Sequence, residues 1–138
     1  MRNRELARDY VQRASVRLAA VDVLFEARSW ADVVRESQEI VELALKGLLG
    51  HVGVEAPRIH DVSDVLQAEA ARLPPGVRPE LPRLCAVSRN LRRDRELAFY
   101  GAEDLTPSTF YSEQDATEAR DGARLVVRLV RAAVPAAS

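Results

Sequence analysis

Apolar residues in this chain recur every three or four positions in stretch after stretch, and no segment alternates apolar with polar over a useful length. A repeat near 3.6 collects side chains on one face of a helix, whereas a half-buried strand needs a repeat of 2. The chain is therefore committed to helices that pack through apolar stripes. Leu6, Tyr10, Ala14, Leu18, Val21 and Phe25 mark a first helix over residues 5–28. Ser29-Trp30-Ala31-Asp32 has the spacing of a capping box, in which two side chains satisfy orphan N–H groups at a helix start. It opens a second helix to about residue 51, with Val34, Ile40, Val41, Ala44, Leu45 and Leu48 on a broad apolar face. Arg35, Glu39, Glu42 and Lys46 lie opposite, and Gly53 supplies the stop.

Pro57 breaks the pattern, and Asp61 or Ser63 can cap a short helix to about residue 73, ended by Pro74-Pro75-Gly76. Pro79 and Pro82 suit the loop and first turn of a helix over about residues 80–99, with Gly101 as terminator. Residues 102–111 read as a loop. Ser112-Glu113-Gln114-Asp115 repeats the capping-box spacing and opens a last helix to about residue 133, with Ala116, Ala119, Ala123, Val127 and Val130 on one stripe. The expected fold is all-α: an antiparallel, up-and-down four-helix bundle with one additional short helix. A length of 138 residues with 47% hydrophobic content is enough for one core, so residues 1–138 are expected to form a single domain.

Charge and cysteine usage narrow the function classes. Lys and Arg total 20 against 21 Asp and Glu, a net charge of −1, which lacks the basic excess of a nucleic-acid coat protein, so any such site must be local. Lys46 is the only lysine; the arginine bias favours bidentate anion recognition, although a GC-rich genome would produce it too. A lone cysteine, Cys85, among Leu81, Leu84 and Val87 reads as a small core hydrophobe, and it fits a reduced, cytoplasmic protein. No signal-peptide core and no apolar run of membrane-spanning length is present, so a soluble protein is expected.

The chain has no phosphate-cradling Gly-rich loop, no His-Glu-x-x-His pair, no Glu-x-x-His pattern and no G-x-S-x-G elbow. His51 and His60 are separated by Gly53 and Pro57 without a metal-ligand spacing, and neither a metal nor a cofactor is expected. His60 beside Asp61 is either an oriented general base or a structural loop histidine. Gln38, Glu42 and Lys46 form one row at i, i+4 and i+8, either a solvated ion-paired face or part of a binding site. Residues 92–101, Arg-Arg-Asp-Arg-Glu-Leu-Ala-Phe-Tyr-Gly, carry the strongest chemical hint. Arg95 continues the stripe of Leu84, Ser88 and Leu91, where a guanidinium needs a carboxylate, a solvated groove or a phosphate.

With these segments in order, the chain resembles a HEPN domain (higher eukaryotes and prokaryotes nucleotide-binding) of the small stand-alone prokaryotic type. The resemblance rests on residues 38–49 in the manner Q-x-x-x-E-x-x-L-K-x-L-L, on Pro57-Arg58-Ile59-His60-Asp61-Val62, on residues 92–101, and on Tyr111-Ser112-Glu113-Gln114-Asp115-Ala116. It implies a helical homodimer, often encoded beside a minimal nucleotidyltransferase as a toxin–antitoxin pair. It also implies kinship with metal-independent ribonucleases, whose motif is an Arg followed after four to six residues by a catalytic His. This chain departs from that motif: from Arg95 the permitted positions hold Tyr100, Gly101 and Ala102, and from Arg92 they hold Leu97, Ala98 and Phe99. Without the imidazole, ordinary ribonuclease activity is not expected.

The resemblance therefore points to a homodimeric HEPN module that binds a nucleotidyltransferase-type partner and RNA or nucleotide, with Arg92, Arg95, Tyr100, Lys46 and Glu42 as binding candidates. The alternatives are an active metal-independent endoribonuclease using Arg95 with Tyr100 or His60 in place of the missing histidine, and a purely structural interaction bundle.

Overall fold

The computed structural model describes residues 2–56, 58, 61–100 and 106–135; for residues 2, 3, 92–100 and 107 it describes the backbone alone. Among the described residues there are six α-helices and no strand: α1 (Arg2–Glu26), α2 (Trp30–His51), α3 (Ser63–Ala68), α4 (Leu81–Tyr100), α5 (Pro107–Phe110) and α6 (Glu113–Ala133). The four long helices form the expected bundle. Gly47 of α2 lies against Ala7 and Val11 of α1 while Trp30 meets Phe25, so the two helices run antiparallel. Arg124 reaches Asp22 and Arg131 reaches Ser15, so α6 is antiparallel to α1 as well. α2 and α6 pack against each other at the centre, and α4 packs on both.

The core follows the apolar stripes closely in α2 and α6. Val34, Ile40, Val41, Ala44, Leu45 and Leu48 are all buried, as are Ala116, Ala119, Ala123, Val127 and Val130. In α4, Leu84, Ser88 and Leu91 are buried on the expected stripe. α1 departs from expectation: its buried face is Ala7, Val11, Ala14 and Val21, while Leu6 is 49% exposed. The reason is steric. A Cβ at Gly47 would lie 2.8 Å from Val11 Cγ2 and 3.0 Å from the Ala7 carbonyl oxygen, so the two backbones nearly touch and only small α1 side chains fit between them.

Helix ends supply the other corrections. Both α1 and α2 finish in Schellman motifs, with Ser29 N–H bonded to Leu24 O and Arg28 N–H to Phe25 O, and with Val54 N–H bonded to Leu49 O and Gly53 N–H to Gly50 O. Gly53 sits at φ 83° as expected of its type, but the equivalent α1 position is Arg28 at φ 60°, so the helix ends two residues before the predicted boundary. The Ser29–Asp32 capping box does not form. Ser29 Oγ donates directly to Asp32 Oδ2 at 2.6 Å, and neither side chain caps a backbone N–H. The Ser112–Asp115 box does form: Asp115 N–H bonds to Ser112 Oγ at 3.2 Å and Ser112 N–H to Asp115 Oδ2 at 2.9 Å. The short helix ends at Ala68 and passes into a 3₁₀ turn, Ala70–Arg72, rather than continuing to residue 73. The predicted loop before α6 contains the single-turn helix α5.

Candidate functional site

Gly53, in its left-handed conformation, turns the chain at the end of α2, and residues 54–56 with Arg58 wall off a concavity beside α1. This groove, about 490 Å³, is lined by Leu6, Ala7 and Tyr10 of α1, by Lys46 and Gly50 of α2, and by Val54, Glu55, Ala56 and Arg58. It runs on along the same helix pair into a second concavity of about 260 Å³, where Tyr10 and Lys46 are joined by Arg13, Arg17, Glu39, Glu42 and Leu43. Tyr10 and Lys46 thus stand at the junction of both.

The Gln38–Glu42–Lys46 row predicted from spacing is present and interlocked. Lys46 Nζ donates to Glu42 Oε2 at 3.1 Å and Gln38 Nε2 donates to Glu42 Oε1 at 3.2 Å. The face is not the freely solvated one that the spacing also allowed: the Lys46 side chain is 16% exposed and Gln38 is buried. One turn away, Arg17 of α1 spans the two helices, with Nε on Glu36 Oε1 at 2.7 Å and a terminal nitrogen on Glu39 Oε2 at 2.6 Å. The lining therefore alternates in sign. Cations at Arg13, Arg17, Lys46 and Arg58 are interleaved with carboxylates at Glu39, Glu42 and Glu55. Such a surface repels a long uniform polyanion through its carboxylates, but it offers an anion site, an aromatic face at Tyr10 and hydrogen-bond acceptors to a compact ligand that carries phosphate and base together.

A second polar cluster anchors the segment that precedes α3. Val62, not Asp61 or Ser63, holds the N-cap position of α3, but Asp61 Oδ1, one residue earlier, accepts from the first helical N–H at Ser63 at 3.0 Å, from Ser63 Oγ at 2.6 Å and from Ser88 Oγ of α4 at 2.9 Å. Arg89 Nε donates to Ser63 Oγ at 3.1 Å. Burial works to raise the Asp61 pKa, but the hydrogen bonds from Ser63 and Ser88 and the charge of Arg89 outweigh it and hold the carboxyl below its usual range. Cys85 is buried beside this cluster, its Sγ directed at Ser63 O across 3.7 Å, and burial pushes its thiol up, so it is a core residue and not a nucleophile. At the end of α2, burial first and then the charges of Arg4 and Arg8 lower the pKa of His51 below the usual imidazole value.

Of the predicted site residues, Lys46 and Glu42 are brought together in the groove. Arg92, Arg95 and Tyr100 lie on the part of α4 whose side chains are outside the described residues, and His60 is likewise outside them. Tyr10, Arg13 and Arg17 escaped the sequence reading because only the antiparallel register of α1 on α2 sets them beside Lys46. Among the described residues no group of three His, Cys, Asp or Glu side chains is arranged to hold a metal ion, and no helix is long and apolar enough to cross a membrane.

No curated protein and no solved structure is found to match the chain. The family model of the HEPN domain matches residues 7–133, from the first buried residue of α1 to the last residue of α6. That match supports a nucleotide- or RNA-related function, and with nearly the whole bundle covered, the chain belongs to the HEPN domain family.

Proposed function

We propose that this HEPN protein is a homodimeric, cytoplasmic binding module that works with a nucleotidyltransferase-type partner, as one half of a toxin–antitoxin-type pair, and takes a nucleotide unit, free or at an RNA end, into the α1–α2 groove. The groove itself carries the reading: Lys46, Arg58 and the Tyr10 ring converge from three segments on one concavity of nucleotide size. Lys46 and Arg58 meet the phosphate, Tyr10 stacks on the base, and Glu42 holds the Lys46 ammonium in place. Catalysis is not part of the reading. Neither histidine follows an arginine at the Arg-x4-6-His spacing, since positions 44–46 before His51 are Ala, Leu and Lys, and positions 53–55 before His60 are Gly, Val and Glu. General acid–base help of that kind supplies about 10²–10⁴-fold in rate, and a tyrosine whose pKa is near ~10 replaces it poorly.

The test combines light scattering on the purified protein with RNA and nucleotide binding in EDTA. The expected result is a dimer that binds without cutting, and whose affinity falls in Lys46→Ala and in Arg58→Ala. Cleavage abolished by Arg95→Ala would overturn the non-catalytic reading in favour of an atypical ribonuclease. A monomer that binds neither RNA nor nucleotide would leave the interaction-bundle alternative.

A further inference from the structure

The half of α6 beyond Gly122 contains no carboxylate, and its arginines are sorted away from its core. Ala123, Val126, Val127 and Val130 are buried, whereas Arg124, Arg128 and Arg131 are exposed. At i, i+4 and i+7 the three guanidiniums make a ridge about 10 Å long at the helical rise of ~1.5 Å per residue. On the flank facing α4 the ridge borders an open cleft of about 440 Å³, into which Arg83, from the first turn of α4, also projects. Asp121 is the one carboxylate in its lining. Arg124 is held by Asp22 at 2.7 Å, Arg83 by Glu80 at 3.0 Å and Arg131 by Ser15 at 3.1 Å. Arg128 makes no ion pair among the described residues. An arginine tethered through one N–H keeps further donors in its planar fork, so these bonds orient the guanidiniums without consuming them.

From this placement we infer that the α6 ridge and its cleft form a second, sequence-independent binding surface for the phosphodiester backbone of RNA. This rests on the reading that RNA is a ligand, and it assigns to α6 a role distinct from the α1–α2 groove. An oriented set of guanidiniums lining a cleft suits the tetrahedral, multiply accepting phosphate of a nucleic-acid strand. Arg128 makes no ion pair among the described residues and Arg131 donates to a neutral hydroxyl, so the charge of these two guanidiniums is not cancelled by a bonded carboxylate. Each phosphate neutralised releases counterions, so binding must weaken with salt.

Fluorescence anisotropy with a labelled single-stranded RNA of mixed sequence, across a salt series, tests the inference on the full chain. The Arg83→Ala/Arg124→Ala/Arg128→Ala variant is expected to lose about tenfold or more in affinity at low salt, and the slope of log affinity against log salt should shallow by about 0.7 for each phosphate that is no longer neutralised. Arg128→Lys should retain most of the slope, because it keeps the charge. If the wild-type protein binds RNA and the triple variant binds equally well while Lys46→Ala does not, the ridge is refuted and the groove stands. If the wild-type protein binds no RNA at all, the RNA arm of the proposed function fails and the ridge with it. If polyglutamate binds in an Arg128-dependent way and RNA does not, the surface serves an acidic protein and the assignment to RNA is overturned.

Discussion

Replacing Gly47 with alanine sets two well-known effects against each other, and the structure decides which wins. Alanine inside a helix is favoured over glycine by roughly 1 kcal/mol, so propensity alone predicts a more stable protein. At this position, however, the new Cβ would stand 2.8 Å from Val11 Cγ2, 3.0 Å from the Ala7 carbonyl oxygen and 3.3 Å from Tyr10 Cβ. A methyl group can turn aside, but a helix carbonyl cannot, so α1 as a whole must move out by several tenths of an ångström. Overpacking a filled core typically costs 1–3 kcal/mol, roughly, and here it also loosens the packing of Val11 and Ala14. Set against the propensity gain, the expected net loss is about 0–2 kcal/mol, up to roughly 8 °C in melting temperature for a chain of this size. Gly122→Ala is the internal comparison. Its Cβ would meet only the side chain of half-buried Val87, nearest at 3.1 Å and bordering an open cleft, so the neighbour can give and propensity should leave the protein unchanged or up to ~1 kcal/mol more stable. Urea unfolding followed by circular dichroism measures both. A stabilised Gly47→Ala protein, or equal shifts at the two glycines, would refute the claim that backbone contact between α1 and α2 governs this position.

Arg28→Gly should stabilise by about 0.5–1 kcal/mol, because an L side chain at φ 60° is strained and glycine is not; a melting temperature unchanged or lowered would contradict this. Ser37 is fully buried and its hydroxyl has no hydrogen-bond partner among the described residues, so Ser37→Ala should be neutral or stabilising by about 1 kcal/mol in denaturant melts, and a clear loss would show that the hydroxyl is satisfied. Asp61 has a folded-state pKa below its unfolded value, so its contribution is complete above about pH 4 and disappears as pH falls through the lower, folded value. The stability difference between wild type and Asp61→Asn should therefore be largest near neutrality and shrink below pH 4, whereas a difference independent of pH would exclude the carboxylate as its source.

Where one helix repeats its apolar residues and begins with a reciprocal cap, as α6 does, local spacing carried nearly all the information, and of its buried residues only Val126 lies off the expected stripe. In α1 the same spacing misled, because the face that packs on Gly47 selects small residues, and a hydrophobicity pattern gives Ala7 less weight than Leu6. The end of α1 was illegible for a different reason: Arg28 occupies a position whose usual signal is glycine. Ser29 and Asp32 had the right spacing, but their side chains bonded each other instead of the backbone. Of the candidate site, Glu42 and Lys46 were visible because four residues on a helix set them together. Tyr10, Arg13 and Arg17 come from another helix at a sequence distance no local pattern spans.

Cys85 is the only cysteine in the chain, and it lies beneath the Asp61–Ser63–Ser88 cluster with its sulfur turned toward Ser63. A thiol in that place is a built-in reporter. A modifying reagent reaches it only when the packing around this part of α4 opens, so the rate of labelling under native conditions, compared with that of the unfolded chain, reads the free energy of that opening. Labelling far faster than global unfolding allows would identify this seam as the region of the domain that opens first, and a ligand or partner that clasps both sides would slow it without touching the sulfur.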